Sequence, residues 1–224
     1  MSSAELGMKR LPLVLLSVFV VALVAGVAFW RFGDWRSQSA APVPTPASAS
    51  PQAENFDGTF SLTDQDGQRR TNADFRGKYM LVFFGYTFCP DVCPTTLAIE
   101  AEALEKLGER ANRIVPIFVT VDPKRDTSEK LKAYLTAFDG EPPSVRPHFV
   151  GLTGTEDEIA QAADHYTVYY RAHLDGLHGN GGDYSIDHTG NVYLMDPEGK
   201  FVVYYSQGIL PDELAADLMK RTSG

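Results

Sequence analysis

Cys89 and Cys93 are the only two cysteines among 224 residues, and they stand four apart in GYTFCPDVCPTTL, Gly85 to Leu97. A lone thiol pair has three uses: a structural staple, electron exchange, or metal ligation. As a staple it is weak, because a closed loop of about five residues removes only roughly 2 kcal/mol of chain entropy from the unfolded state. Electron exchange needs only the two sulfurs and a low thiolate pKa, although its usual spacing is C-x-x-C and this pair has one residue more. A soft metal wants a third donor, and two thiolates with one imidazole make a set suited to copper; a structural zinc would need a fourth ligand.

The histidines that could supply the third donor are His148, His165, His173, His178 and His188. Spacing alone does not choose among them. His165 falls late in an amphipathic stretch, where a histidine at a helix C-terminus is the ordinary reading. His148 precedes the short strand-like FVGL, and His173 and His178 lie in a Gly-rich segment whose expected fate is solvent. His188, in DHTGNVYLMD, directly precedes a stretch that reads as a buried strand, so scaffold would hold it; Asp187 beside it is a candidate to orient the ring.

The elements that must position these residues follow from periodicity. YMLVFFGY, Tyr79 to Tyr86, and IVPIFVTV, Ile114 to Val121, are continuous apolar runs of the kind buried on both faces of a sheet. The cysteines follow the first run, at a strand-to-helix junction where backbone N–H groups and the helix dipole favour thiolate. Taken as one helix face, residues four apart would aim both sulfurs at a common guest. Leu97, Leu104 and Leu107 predict an amphipathic helix over 95–110. Capping boxes are expected at Asp126 with Glu129, ahead of Leu131, Tyr134, Leu135 and Phe138, and at Thr155 with Glu158. An Asp66-Gly67 turn predicts a hairpin, NVYLMDPEGKFVVYYSQG two strands about Asp196 to Gly199, and Pro211 a closing helix. The order argues an α/β fold with a central sheet flanked by helices. VDPKRDT reads as structural: a turn at Asp122-Pro123, Asp126 spent on a cap, Arg125 solvated or paired, with contact to a partner subunit or steering of the site loop as the lesser alternatives.

Outside this domain the chain changes character. Residues 1–36, the expected membrane anchor, hold LPLVLLSVFVVALVAGVAFW, Leu11 to Trp30, long enough to cross a hydrocarbon core of about 30 Å as an N-terminal transmembrane helix; a cleaved signal peptide is the rival, against which stand the length of the run and the lack of an A-x-A site at its end. Lys9 and Arg10 on one side and Arg31 and Arg36 on the other barely discriminate orientation; the short basic N-terminus favours the domain outside. Residues 37–52, rich in Pro, Ala and Ser, read as an extended linker, and the globular domain is expected over 53–224. With 44% hydrophobic and 11% aromatic residues the whole chain can bury a core, and its formal charge of -9 argues against non-specific nucleic-acid binding.

Three ordered motifs, FFGYTFCPDVCPTTL, FVTVDPKRDT and YSIDHTGNVYLMDPEGKF, resemble the Sco/SenC family of copper proteins that assist assembly of the binuclear copper centre of cytochrome c oxidase. The likeness runs from about Phe56 to the C-terminus. It implies a thioredoxin-like fold and a copper site, Cu(I) or Cu(II), made by Cys89, Cys93 and His188, with the cysteines also able to form a disulfide. It further implies cytochrome c oxidase subunit II as recipient, an upstream copper donor protein, and a domain facing the periplasm of a bacterium or the mitochondrial intermembrane space. One departure is Ser128, where family members often carry Pro. The rival reading on the same thiols is a thiol-disulfide oxidoreductase that reduces the cysteines of that centre before metal arrives. Copper or redox sensing fits the same residues. Peroxidase chemistry does not, since Thr87 is one residue too close to Cys89 and no proline precedes it at the required distance.

Overall fold

The computed structural model describes residues 56–139, 147–173 and 184–222. The expected membrane helix and linker, and His178, lie outside the described residues; among those described, no helix is long and apolar enough to cross a membrane.

Seven strands form one mixed sheet. In chain order they are β1 (Ser61–Asp64), β2 (Arg69–Thr71), β3 (Tyr79–Gly85), β4 (Ile114–Thr120), β5 (Val150–Thr153), β8 (Val192–Met195) and β9 (Phe201–Tyr205), in the spatial order β2-β1-β5-β4-β3-β8-β9. The two apolar runs become β3 and β4, which pair in parallel at the middle, Phe83 opposite Phe118. Leu81, Val82, Phe83, Phe84, Ile117, Phe118 and Val119 are fully buried there, which is why neither strand alternates in sequence. β5 continues the parallel pairing on one side, while β8 adds antiparallel on the other. A parallel neighbour needs a crossover, and helix α1 (Val92–Leu107) supplies the one between β3 and β4.

Helices α2 (Ser128–Thr136), α3 (Glu156–His165) and α4 (Pro211–Arg221) complete the flanking layers; α1 packs against α4 and α2 against β5. The expected hairpins form: β1 and β2 are antiparallel about Asp66-Gly67, and β8 and β9 about Asp196 to Gly199. The Thr155–Glu158 capping box is present with both of its hydrogen bonds, and α4 opens on Pro211.

Three expectations are corrected. α1 begins at Val92 and not at Thr95, and Cys89 lies in the loop before it. Pro94 explains the start: lacking an N–H, it sits without cost only in a helix's first turn, which keeps the helix from reaching back to Cys89. Asp126 does not cap α2; Thr127 does, its side chain accepting the Lys130 N–H. Part of the segment read as a Gly-rich loop is paired, β6 (Tyr170–His173) running antiparallel to β7 (Ser185–His188) as a two-stranded sheet of its own.

Candidate metal centre

Strand β3 ends on Gly85, and the chain turns through Tyr86, Thr87 and Phe88 to Cys89 before α1 begins. Gly85 is required by its neighbour: a Cβ there would stand 2.7 Å from Cys93 Sγ and 2.8 Å from Phe118 Cε2. The missing side chain is the room in which the Cys93 sulfur sits. Cys93, in the first turn of α1, is fully buried, whereas Cys89 is partly exposed. Cys89 Sγ accepts the Cys93 backbone N–H at 3.4 Å, so a sulfur takes the place a capping oxygen usually holds.

The two thiols are driven apart in acidity. The hydrogen bond from Cys93, with help from His188 and the backbone N–H groups of Asp91 and Cys93, outweighs burial and pulls Cys89 down to about 3. Burial, reinforced by the neighbouring Cys89, pushes Cys93 far up. The metal-free pair therefore holds one accessible thiolate and one buried thiol.

The turn bearing Cys89 is pinned from the turn that follows β4. Asp126, fully buried, accepts the Thr87 backbone N–H at 3.0 Å, the Thr87 hydroxyl at 2.5 Å and the Thr120 hydroxyl at 2.6 Å. The expected cap is thus a brace for the cysteine loop, and its partners come from distant segments that no local spacing rule reveals.

His188 closes the site from the end of β7. Its Nε2 lies 3.3 Å from Cys93 Sγ, and the donor atoms of Cys89, Cys93 and His188 all fall within 4.8 Å of one another. The Nδ1 is 3.1 Å from the Thr189 carbonyl, which can only accept, so Nδ1 carries a hydrogen while Nε2 faces the sulfurs. Edges of Phe83 and Tyr86, with ring centroids 6.0 and 5.9 Å away, hold the imidazole in place. Asp187, expected to orient the ring, instead pairs with His173 at 2.6 Å, because successive strand residues point to opposite faces. His173 is thus paired and not simply solvated. His148 pairs with Asp139 and His165 bonds Thr59, leaving neither beside the cysteines.

This donor set suits a soft, low-coordinate ion. Two thiolates and a neutral imidazole around Cu(I) carry a net charge of about minus one, and three donors leave room for an incoming ligand. Among the described residues no other group of three or more His, Cys, Asp or Glu side chains gathers in this way.

Comparison with known proteins places this geometry. The SCO1/SenC sequence profile matches residues 48–223. The human mitochondrial SCO1 homologue is 37% identical over 163 residues, taking in 72% of this chain and 51% of that protein, so the match spans about half the length of that relative. A SCO2-like protein of Rickettsia conorii is 38% identical over 159 residues, 70% of this chain and 72% of its own. Bradyrhizobium japonicum ScoI with copper bound superposes with a TM-score of 0.64 at 43% identity, covering 75% of this chain and 99% of the other. Arabidopsis thaliana ScoI with copper bound gives 0.65 at 37% identity, over 74% and 96%.

Proposed function

Because this chain belongs to the SCO1/SenC family, we propose that it is a membrane-tethered copper carrier that binds copper through Cys89, Cys93 and His188 and delivers it to the binuclear copper centre of cytochrome c oxidase subunit II. The observation that carries this reading is the convergence of three soft or borderline donors within 4.8 Å, with His188 Nε2 turned inward. Copper-bound ScoI structures from two organisms support copper as the cargo. Residues 1–36 serve as the anchor, 37–52 as the linker and 53–224 as the copper-binding domain, on the periplasmic or intermembrane-space side.

Delivery follows from the donor set. Each thiolate or imidazole of a recipient can displace one donor at a time, with the ion never released to water. Cys89, the exposed member, is the donor reached first, and Cys93 and His188 hold the ion until exchange is complete. An upstream donor protein would load the site by the same exchange in reverse.

A second reading has its own observation. A partly exposed thiolate four residues before a buried thiol is the arrangement of an attacking and a resolving cysteine. Cys89 would attack a disulfide of subunit II and Cys93 would then close on Cys89. Two electrons pass to the partner, which leaves with two thiols, while the carrier is left as a disulfide.

One experiment separates the two. The full-length chain in mild detergent, copper-loaded or reduced and metal-free, is mixed with the copper-binding domain of subunit II, itself reduced or disulfide-bonded. A carrier passes copper to the reduced recipient, measured as the copper content of the recipient after separation, and His188→Ala abolishes this. A reductase releases thiols from the oxidised recipient and ignores His188→Ala. Failure of the loaded chain to metallate the reduced recipient would overturn the carrier reading.

A further inference from the structure

The two limbs of the site come from separate parts of the fold. Cys89 and Cys93 stand at the end of a central strand, while His188 ends β7, which pairs only with β6 and takes no part in the seven-stranded sheet. Something other than sheet pairing must hold the histidine limb against the cysteine limb.

Arg125, in the turn after β4, occupies the seam. Its side chain is 13% exposed, its Nε pairs with the buried Asp122 carboxylate, and its Nη1 donates to the Tyr184 carbonyl at 2.9 Å. The guanidinium carbon lies 3.7 Å from the Tyr184 ring centroid, 4.8 Å from that of Phe88 and 5.8 Å from that of Tyr86. The Tyr184 hydroxyl returns to Asp122 at 2.5 Å. Tyr184 immediately precedes β7, and Phe88 immediately precedes Cys89. One planar cation is thus stacked between the approach to His188 and the approach to Cys89. The Ile186 N–H donating to the Tyr86 hydroxyl at 3.3 Å is a second tie across the same seam.

We infer that Arg125, held by Asp122 and Tyr184, is a positioning residue that clasps the His188 hairpin to the cysteine loop and thereby sets the copper site's third donor. This rests on the carrier reading for its consequence but not for its geometry. A cation stacked on aromatic faces is worth most where water is excluded, and the fork of a guanidinium bonds a carboxylate and a carbonyl while its face remains free to stack. Lysine offers neither the fork nor the plane. The clasp acts on the distance between limbs and leaves the Cys89–Cys93 pair, tied by the Cys93 N–H to Cys89 Sγ, to itself.

The test uses the reduced full-length chain and its Arg125→Met, Arg125→Lys and Tyr184→Phe variants. In the metal-free state, NMR contacts between the His188 ring and the rings of Phe83 and Tyr86 report the clasp without copper. Anaerobic Cu(I) competition and X-ray absorption report the site. Arg125→Met and Arg125→Lys should weaken those ring contacts, lower Cu(I) affinity about ten- to a hundred-fold, and shift the absorption edge from three- to two-coordinate. Tyr184→Phe, which deletes one hydroxyl, should move the same signals less in a chain of unchanged melting temperature. Adding Arg125→Met to His188→Ala should cost no further affinity. Retained ring contacts in a folded Arg125→Met chain, full rescue by lysine, or a further loss in the double variant would each overturn the clasp. A parent chain whose copper binding ignores His188→Ala sinks the carrier reading instead, and the ring contacts then still decide the clasp.

Discussion

At the scale of single residues the site turns on which sulfur is charged. Cys89, held at about 3 by the hydrogen bond from Cys93, is thiolate throughout the neutral range. Alkylation follows thiolate concentration, so an ordinary cysteine speeds up about tenfold per pH unit below its pKa near 8.5. Cys89 should instead react at a nearly constant rate between about pH 5 and pH 8, with Cys93 left unmodified. Mass-spectrometric mapping of limited iodoacetamide labelling checks this; a Cys89 rate that climbs tenfold per unit would contradict it. Both cysteines were legible in the sequence from their solitude and their place after an apolar run. The histidine was legible only in part: pattern set His188 apart as the one held by scaffold and the family resemblance made it the ligand, while only the fold reduces ninety-odd residues of separation to 3.3 Å. Its orienting partner was misread for a local reason, since the adjacent Asp187 points away and the Thr189 carbonyl does the work.

At the scale of elements, α1 carries a cost that has no partner to relieve it. Glu100 is fully buried and neither of its carboxyl oxygens has a hydrogen-bond partner among the described residues. Burial disfavours the charged form and raises its pKa well above the ordinary value. The folded chain therefore keeps this proton where the unfolded chain, titrating near 4.3, has released it. The resulting stability is fully present below about pH 4.3 and declines as pH rises above it, by up to about 1.4 kcal/mol per unit while the folded form stays protonated. Glu100→Gln should flatten that decline, so its advantage in melting temperature over the parent grows from about pH 5 to pH 8. An advantage independent of pH would contradict the assignment.

Elements whose signals are local were read closely: β3, β4, the two hairpin turns, the Thr155 cap and the helix opening on Pro211. Those governed by distant partners were not. Asp126 looks like a cap in sequence because Glu129 follows three residues on, yet burial gives it to Thr87 and Thr120, and Thr127 takes the cap. The β6–β7 hairpin was hidden because Gly-rich, polar sequence surrounds its strands and masks their alternation.

At the scale of the whole molecule the account is one of delivery. A small α/β domain supplies a strand-to-helix junction for two thiols, and a separate hairpin places the third donor beside them, with Arg125 and Tyr86 tying the limbs. The proposed anchor and linker would hold that site beside a membrane-bound recipient and raise its effective concentration without any added contact. All of this depends on the three donors acting on one ion. The most direct test is an anaerobic Cu(I) competition titration of the reduced full-length chain beside its His188→Ala variant. The account predicts one tightly held copper per chain, weakened at least about tenfold by the substitution. Equal affinity in the two proteins would contradict it.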